Sequence, residues 1–202
     1  MILTTIPKSG SNWIRNILDL PKGVVSATAD EDEIIEILKA EEIIRGHIYP
    51  TPAIVAVAGG HYPIIFLHRD PRDIIISWYH HCQKRSVIQH RFLGFVKRDY
   101  DLAPRKMMFL IENLKPFYDG MMQWTKHATH VLKYEDVKID PGKALAPLCD
   151  ALGVDLEEAL GRVNNRARMF RTGNMGNWQY EWTNEHKAYF EEIWGNEFSA
   201  EN

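Results

Sequence analysis

The sequence predicts an α/β fold, a three-layer αβα sandwich around a central parallel sheet. Short apolar runs of β character alternate with segments of helical spacing along most of the chain. One of these runs, Pro63-Ile64-Ile65-Phe66-Leu67-His68, is apolar almost throughout, the mark of a strand covered on both faces. Polar residues, cations among them, follow directly after the runs. With 202 residues, 45% of them hydrophobic and 25% charged, the chain suits one substantial core, and a single domain over residues 1–202 is expected. No repeat, low-complexity tract or linker divides it.

Ile2 to Ile6 forms the first strand, closed by Pro7, and helical spacing resumes from Asn12 to Leu20 through Trp13, Ile14, Ile17 and Leu18. Asp30 with Glu33 is a capping-box-like helix start ahead of Ile34, Ile35 and Leu38. Ile43 to His47 is the second strand, emerging into a loop that holds Pro50 and Pro52. After the third strand, Asp70-Pro71 pairs a natural N-cap with a proline suited to the first turn, so a helix is expected from Pro71 to about Lys84. Residues 84 to 106 read as basic and irregular, a solvated loop or a cover for a bound acceptor. Lys106 to Trp124 reads as helix, His130 to Tyr134 as a fourth strand, and Asp140-Pro141 opens a helix that Gly153 closes.

A formal net charge of −3 argues against a general nucleic-acid binder but permits a local basic pocket. The two cysteines, Cys82 and Cys149, form no CxxC, and His80-His81-Cys82 places neighbouring residues on different helix faces, so neither a disulfide framework nor a metal site is expected. No apolar run approaches the ~18 residues of a membrane span, and no leader pattern precedes the first strand, which makes a cytoplasmic protein the expectation.

In a parallel sheet, ligands gather at the carboxyl ends of the strands, where helix starts offer N–H groups. Lys8, Ser9, Gly10, Ser11 and Asn12 follow the first strand, Arg45 and His47 end the second, Arg69 follows the third and Tyr134-Glu135-Asp136 the fourth. Cations at three of four exits point to a polyanionic ligand. Ser77 lies about two turns from Asp70 on the same helical face. In Arg171-Thr172-Gly173-Asn174-Met175-Gly176 two glycines stand three apart, which permits close backbone approach to a phosphate.

Five of these stretches, in order, resemble motifs of the sulfotransferases that use 3′-phosphoadenosine 5′-phosphosulfate (PAPS). PKSGSNW resembles the family's phosphosulfate loop PKSGTTW, RGHIYP its Lys-Thr-His-Leu-Pro stretch, and HRDPRDIIISWYHH its 3′-phosphate segment. LKYEDVKIDP resembles its Tyr-Glu-Asp segment, and RTGNMGNW its Arg-Lys-Gly-x-x-Gly-Asp-Trp motif. The resemblance implies a P-loop-NTPase-like sulfotransferase fold that moves a sulfuryl group from PAPS to a hydroxyl or amine of a small-molecule acceptor, releasing PAP without a metal. By it, His47 is the general base, Lys8 steadies the leaving phosphate with the loop amides of Ser9 to Asn12, and Arg45 the transferring oxygens. Arg69, Ser77 and Arg171, with Thr172 and Gly173 beside them, would take the 3′-phosphate, and Trp13 and Tyr134 the adenine. Thr172 and Asn177 depart from the family's lysine and aspartate. Two rivals stand beside this reading: a small kinase with Glu135 or Asp136 as metal ligands, and a PAP-binding module without catalysis.

Overall fold

The structure is a computed structural model that describes residues 1–21, 29–83, 88–90, 95–97, 106–163, 174–195 and 198. In chain order the elements are β1 (Ile2–Thr5), α1 (Ser11–Ile17), α2 (Glu31–Ala40), β2 (Ile44–Gly46), α3 (Pro52–Ala58), β3 (Ile64–His68) and α4 (Pro71–Gln83). There follow β4 (Ile88–His90), β5 (Phe95–Lys97), α5 (Lys106–Met122), a 3-10 turn (Gln123–Lys126), β6 (His130–Lys133), α6 (Tyr134–Ile139), α7 (Pro141–Leu152), α8 (Leu156–Val163), α9 (Trp178–Glu181) and α10 (Asn184–Trp194). Contacts group the chain into two compact units, each assembled from two stretches: residues 1–70 with 121–173, and residues 71–120 with 174–202.

The first unit holds a four-stranded sheet in the order β2-β1-β3-β6, parallel throughout, as the apolar strand pattern predicts. The register sets Leu3 against Arg45 on one side and Ile65 on the other, and Leu67 against Leu132. Because side chains alternate along a strand, Leu3, Ile65, Leu67 and Leu132 share a face. There they join Trp13, Ile14 and Ile17 of α1, Val137 of α6, Leu145 and Leu148 of α7 and Ala159 of α8 in one buried cluster. The helices begin where the chemistry of their caps dictates. Asp30 accepts from the N–H of Glu33, Thr51 from that of Ile54 and Asp140 from that of Lys143, with Pro52 and Pro141 in the first turns. Gly153, at φ 64°, ends α7 in the left-handed conformation.

The second unit packs α4 against α9 and adds α5 as far as Gly120, the antiparallel β4–β5 pair and α10. Arg72 lies over the Trp178 ring at 4.1 Å and donates to the Phe198 carbonyl. Asp73 accepts from the Gly176 N–H at 2.9 Å, and the Trp194 indole N–H donates to the Ile111 carbonyl at 2.8 Å. α10 opens with a reciprocal capping box between Thr183 and His186.

Two local expectations give way to regular structure. The segment after Pro50 is a helix, α3, because Thr51 caps it, Pro52 presets its first turn, and Ile54 and Ala58 bury a face one turn apart. Within residues 84–106, Ile88–His90 and Phe95–Lys97 pair as strands, while most of the rest of that stretch lies outside the described residues. Among the described residues no helix is long and apolar enough to cross a membrane.

Candidate active site

The loop between β1 and α1 is held in an uncommon shape. Lys8 has φ 74° and Gly10 has φ 97°, so the chain turns through the left-handed region twice within three residues. For Lys8 this is a strained conformation, of a kind that clusters at ligand sites. Gly10 is required twice over: its φ suits glycine alone, and a Cβ there would lie 2.8 Å from the Tyr134 ring. Ser9 is fully buried, and its hydroxyl donates to the carbonyls of Ile6 and Leu67 while its N–H bonds Ile6. Ser9 therefore ties the loop to β1 and β3 through its hydroxyl and its amide. The N–H groups of Gly10, Ser11 and Asn12 have no acceptor among the described residues.

β2 lies beside β1 with Thr4 opposite Gly46, so the next residues, Thr5 and His47, come together as the strands end. Nδ1 of His47 lies 2.8 Å from the Thr5 carbonyl and 2.9 Å from the Thr5 hydroxyl. A carbonyl only accepts, so Nδ1 carries the proton and Nε2 keeps its lone pair. Burial lowers the imidazole pKa to about 4, against the opposing pull of the Thr5 carbonyl bond, with the charges of Arg45 and Lys8 adding to the lowering. His47 is thus a neutral, oriented base beside two cations. Arg45 donates from Nη1 to the Asn12 side-chain oxygen at 3.1 Å.

On the other side of β1, Arg69 leaves β3 with only 9% of its surface exposed. Its guanidinium stands over the Tyr134 ring at 4.3 Å, and its Nε is 3.9 Å from Glu135 Oε1. The same oxygen accepts the Asp70 N–H at 3.1 Å, while Glu135 Oε2 is buried with no hydrogen-bond partner among the described residues. Burial raises the Glu135 pKa despite these favourable contacts.

Trp13 and Tyr134 do not present faces to an adenine here. They are 2% and 1% exposed, tilted against each other at 5.2 Å within the core, and the Trp13 indole N–H donates to the Val163 carbonyl at 3.0 Å. Two large rings at the edge of an apolar cluster lower the free energy more by burial than by open display. Ser77 lies on α4 of the second unit, and Arg171, Thr172 and Gly173 lie outside the described residues. The first unit therefore places Lys8, Gly10, Ser11, Asn12, Arg45, His47 and Arg69 at the carboxyl ends of β1, β2 and β3.

No motif marks Thr5, whose carbonyl sets the histidine tautomer, Glu135 as a neighbour of Arg69, or Arg15 beside Arg45. A polar stripe at Asn12, Arg15 and Asn16 on an otherwise apolar helix was the available signal for the last.

The chain has relatives that carry this architecture. A sulfotransferase domain model matches residues 1–167. Sulfotransferase 2A6 of Rattus norvegicus is 26% identical over 184 residues, covering 78% of this chain and 60% of its own length. The amine sulfotransferase of Oryctolagus cuniculus is 22% identical over 248 residues, 98% of this chain and 80% of that one. The chain spans about 60% of the length of the first curated relatives it matches. Among solved structures, mouse sulfotransferase SULT7A1 complexed with PAP superposes with a TM-score of 0.67 at 20% identity, over all of this chain and 84% of that one. A retinol dehydratase in complex with androsterone and inactive cofactor PAP gives 0.61 at 16% identity, over 100% of this chain and 81% of that one. With its parallel sheet, its lysine loop after β1, and a domain match that runs from the first residue through α8, the chain belongs to the sulfotransferase domain family.

Proposed function

We propose that the protein is a PAPS-dependent sulfotransferase, a single catalytic domain over residues 1–202 acting on a hydroxyl or amine of a small molecule. The observation that carries this reading is His47: neutral, with Nδ1–H directed at the Thr5 carbonyl and Nε2 left as acceptor, beside Lys8 and Arg45. A neutral base next to cations suits a reaction in which an acceptor loses a proton while negative charge builds on a leaving phosphate.

The donor set fits the cosubstrate. Lys8 and the amides of Gly10, Ser11 and Asn12 suit a phosphosulfate, and Arg69 suits the separate 3′-phosphate that distinguishes PAPS from ATP. Bound PAPS supplies the sulfuryl group, which passes to the acceptor oxygen as PAP leaves and the acceptor proton goes to His47 Nε2. Lys8 and the loop amides would hold the leaving phosphate, and Arg45, anchored by Asn12, would steady the transferring oxygens. A kinase reading would require Glu135 or Asp136 at a metal; Glu135 instead bonds the Asp70 amide and neighbours Arg69.

The test pairs calorimetric PAP affinity with single-turnover sulfation by wild type and His47→Ala. The expected result is retained PAP affinity and a fall in turnover of at least ~10²-fold. Loss of both together marks a structural histidine, and failure of wild type to bind PAP overturns the sulfotransferase reading.

A further inference from the structure

α1 carries Asn12 and Asn16 one turn apart on a single face, and each holds a guanidinium. Asn12 Oδ1 accepts from Arg45 Nη1 at 3.1 Å, and Asn16 Oδ1 accepts from Arg15 Nη2 at 2.5 Å. Neutral amides therefore fix two arginines side by side where carboxylates would ordinarily balance them. Neither arginine makes an ion pair among the described residues. The Nε of each is buried without a hydrogen-bond partner among those residues. Burial lowers the pKa of Arg45, and the charge of the neighbouring Arg15 adds to the lowering. Like charges held together in partial burial raise the free energy of the fold, and an anion between them relieves it.

The position of the pair indicates which anion. Arg45 stands in β2 two residues before His47 and bonds Asn12, and Arg15 bonds Asn16 one turn further along α1, so cations extend from beside the base to the middle of α1. The leaving phosphate of the donor is served at the Lys8 end by Gly10, Ser11 and Asn12. Arg15 lies three residues further into the helix, bonded to Asn16 and not to the loop. Resting on the sulfotransferase reading, we infer that Arg15, beside Arg45, binds a negatively charged group on the acceptor. The substrate class is then an alcohol or phenol that already bears a carboxylate or a phosphate.

The experiment uses three phenols of similar size as probes: neutral tyrosol, 4-hydroxyphenylacetate and 4-hydroxyphenyl phosphate. Each is titrated calorimetrically into wild type, Arg15→Gln and Arg15→Lys, with and without saturating PAP. Wild type is expected to bind at least one anionic phenol about tenfold or more tightly than tyrosol, as charge-assisted hydrogen bonds predict. Which anion wins distinguishes a carboxylate from a phosphate substrate. Arg15→Gln is expected to erase the preference while PAP affinity stays within about twofold, and Arg15→Lys to restore most of it. Wild type that binds tyrosol as well as both anions overturns the inference, as does an Arg15→Gln protein whose PAP affinity falls with its anion preference, which would assign Arg15 to the donor. If PAP fails to bind wild type, the sulfotransferase reading falls alone, because the titrations without PAP still decide whether Arg15 selects an anion.

Discussion

At the scale of single residues, His47 sets the pH range of the chemistry. With its pKa lowered to about 4, the imidazole stays neutral well below the ordinary histidine value of 6.5. The acid limb of the kcat/KM profile is therefore expected near pH 4, and a limb near 6.5 would mean that the base is solvated and not held against Thr5. Lys8 separates strain from function in the same loop. Both Lys8→Ala and Lys8→Gly remove the cation and are expected to lower turnover by orders of magnitude. Only glycine relieves a φ of 74°, so Lys8→Gly is expected to be more stable than Lys8→Ala by about 1 kcal/mol in urea denaturation. Equal stabilities would show that the left-handed turn at Lys8 stores no strain.

At the scale of elements, the four parallel strands and the starts of α2, α4 and α7 were legible because each is marked locally, by an apolar run, by a capping residue or by a cap followed by proline. α3 carried the same mark in Thr51-Pro52, but the short apolar stretch behind it ends in Gly59-Gly60 and is too brief to show helical periodicity. β4 and β5 were not legible: three-residue strands hold too few side chains to show alternation. The loop lysine, Arg45, His47 and Arg69 could be found because strand exits are predictable from strand ends. What the sequence hides is direction. Nothing local says that Ser9 turns inward to two carbonyls, or that Trp13 and Tyr134 fold into the core, since those choices depend on partners 58 and 150 residues away. The capping box of α10 is a local feature with a local test. Thr183→Ala is expected to cost about 1 kcal/mol, read as a lower urea midpoint with unchanged slope.

At the scale of the whole molecule, stability should depend on pH through buried groups of opposite sense. His47 and His68 both titrate at about 4 in the fold, below the 6.5 of an open chain, each mainly because of burial. Between those values the unfolded chain binds more protons, so their contribution is full above pH 6.5 and lost as pH falls towards 4. Glu135, raised from 4.5 by burial, acts the other way, because the unfolded chain releases its proton first as pH rises. In Glu135→Gln that opposing contribution is gone, and unfolding free energy is expected to climb from pH 4 to 6.5. A flat profile in that variant would mean that the two imidazoles are not withdrawn from water.

The first unit is discontinuous, and this bears on the order of events during synthesis. β3 receives its outer neighbour β6 only after residues 69–129 have been made, a segment that contains residues 71–120 of the second unit. Until then the growing chain presents β3 as an open edge of the sheet, with its amide and carbonyl groups unpaired on that side. Parallel pairing over so long a separation is slow to form. A nascent chain halted near residue 120 should accordingly be sensitive to protease and prone to self-association, and one released past α6 should be resistant to both.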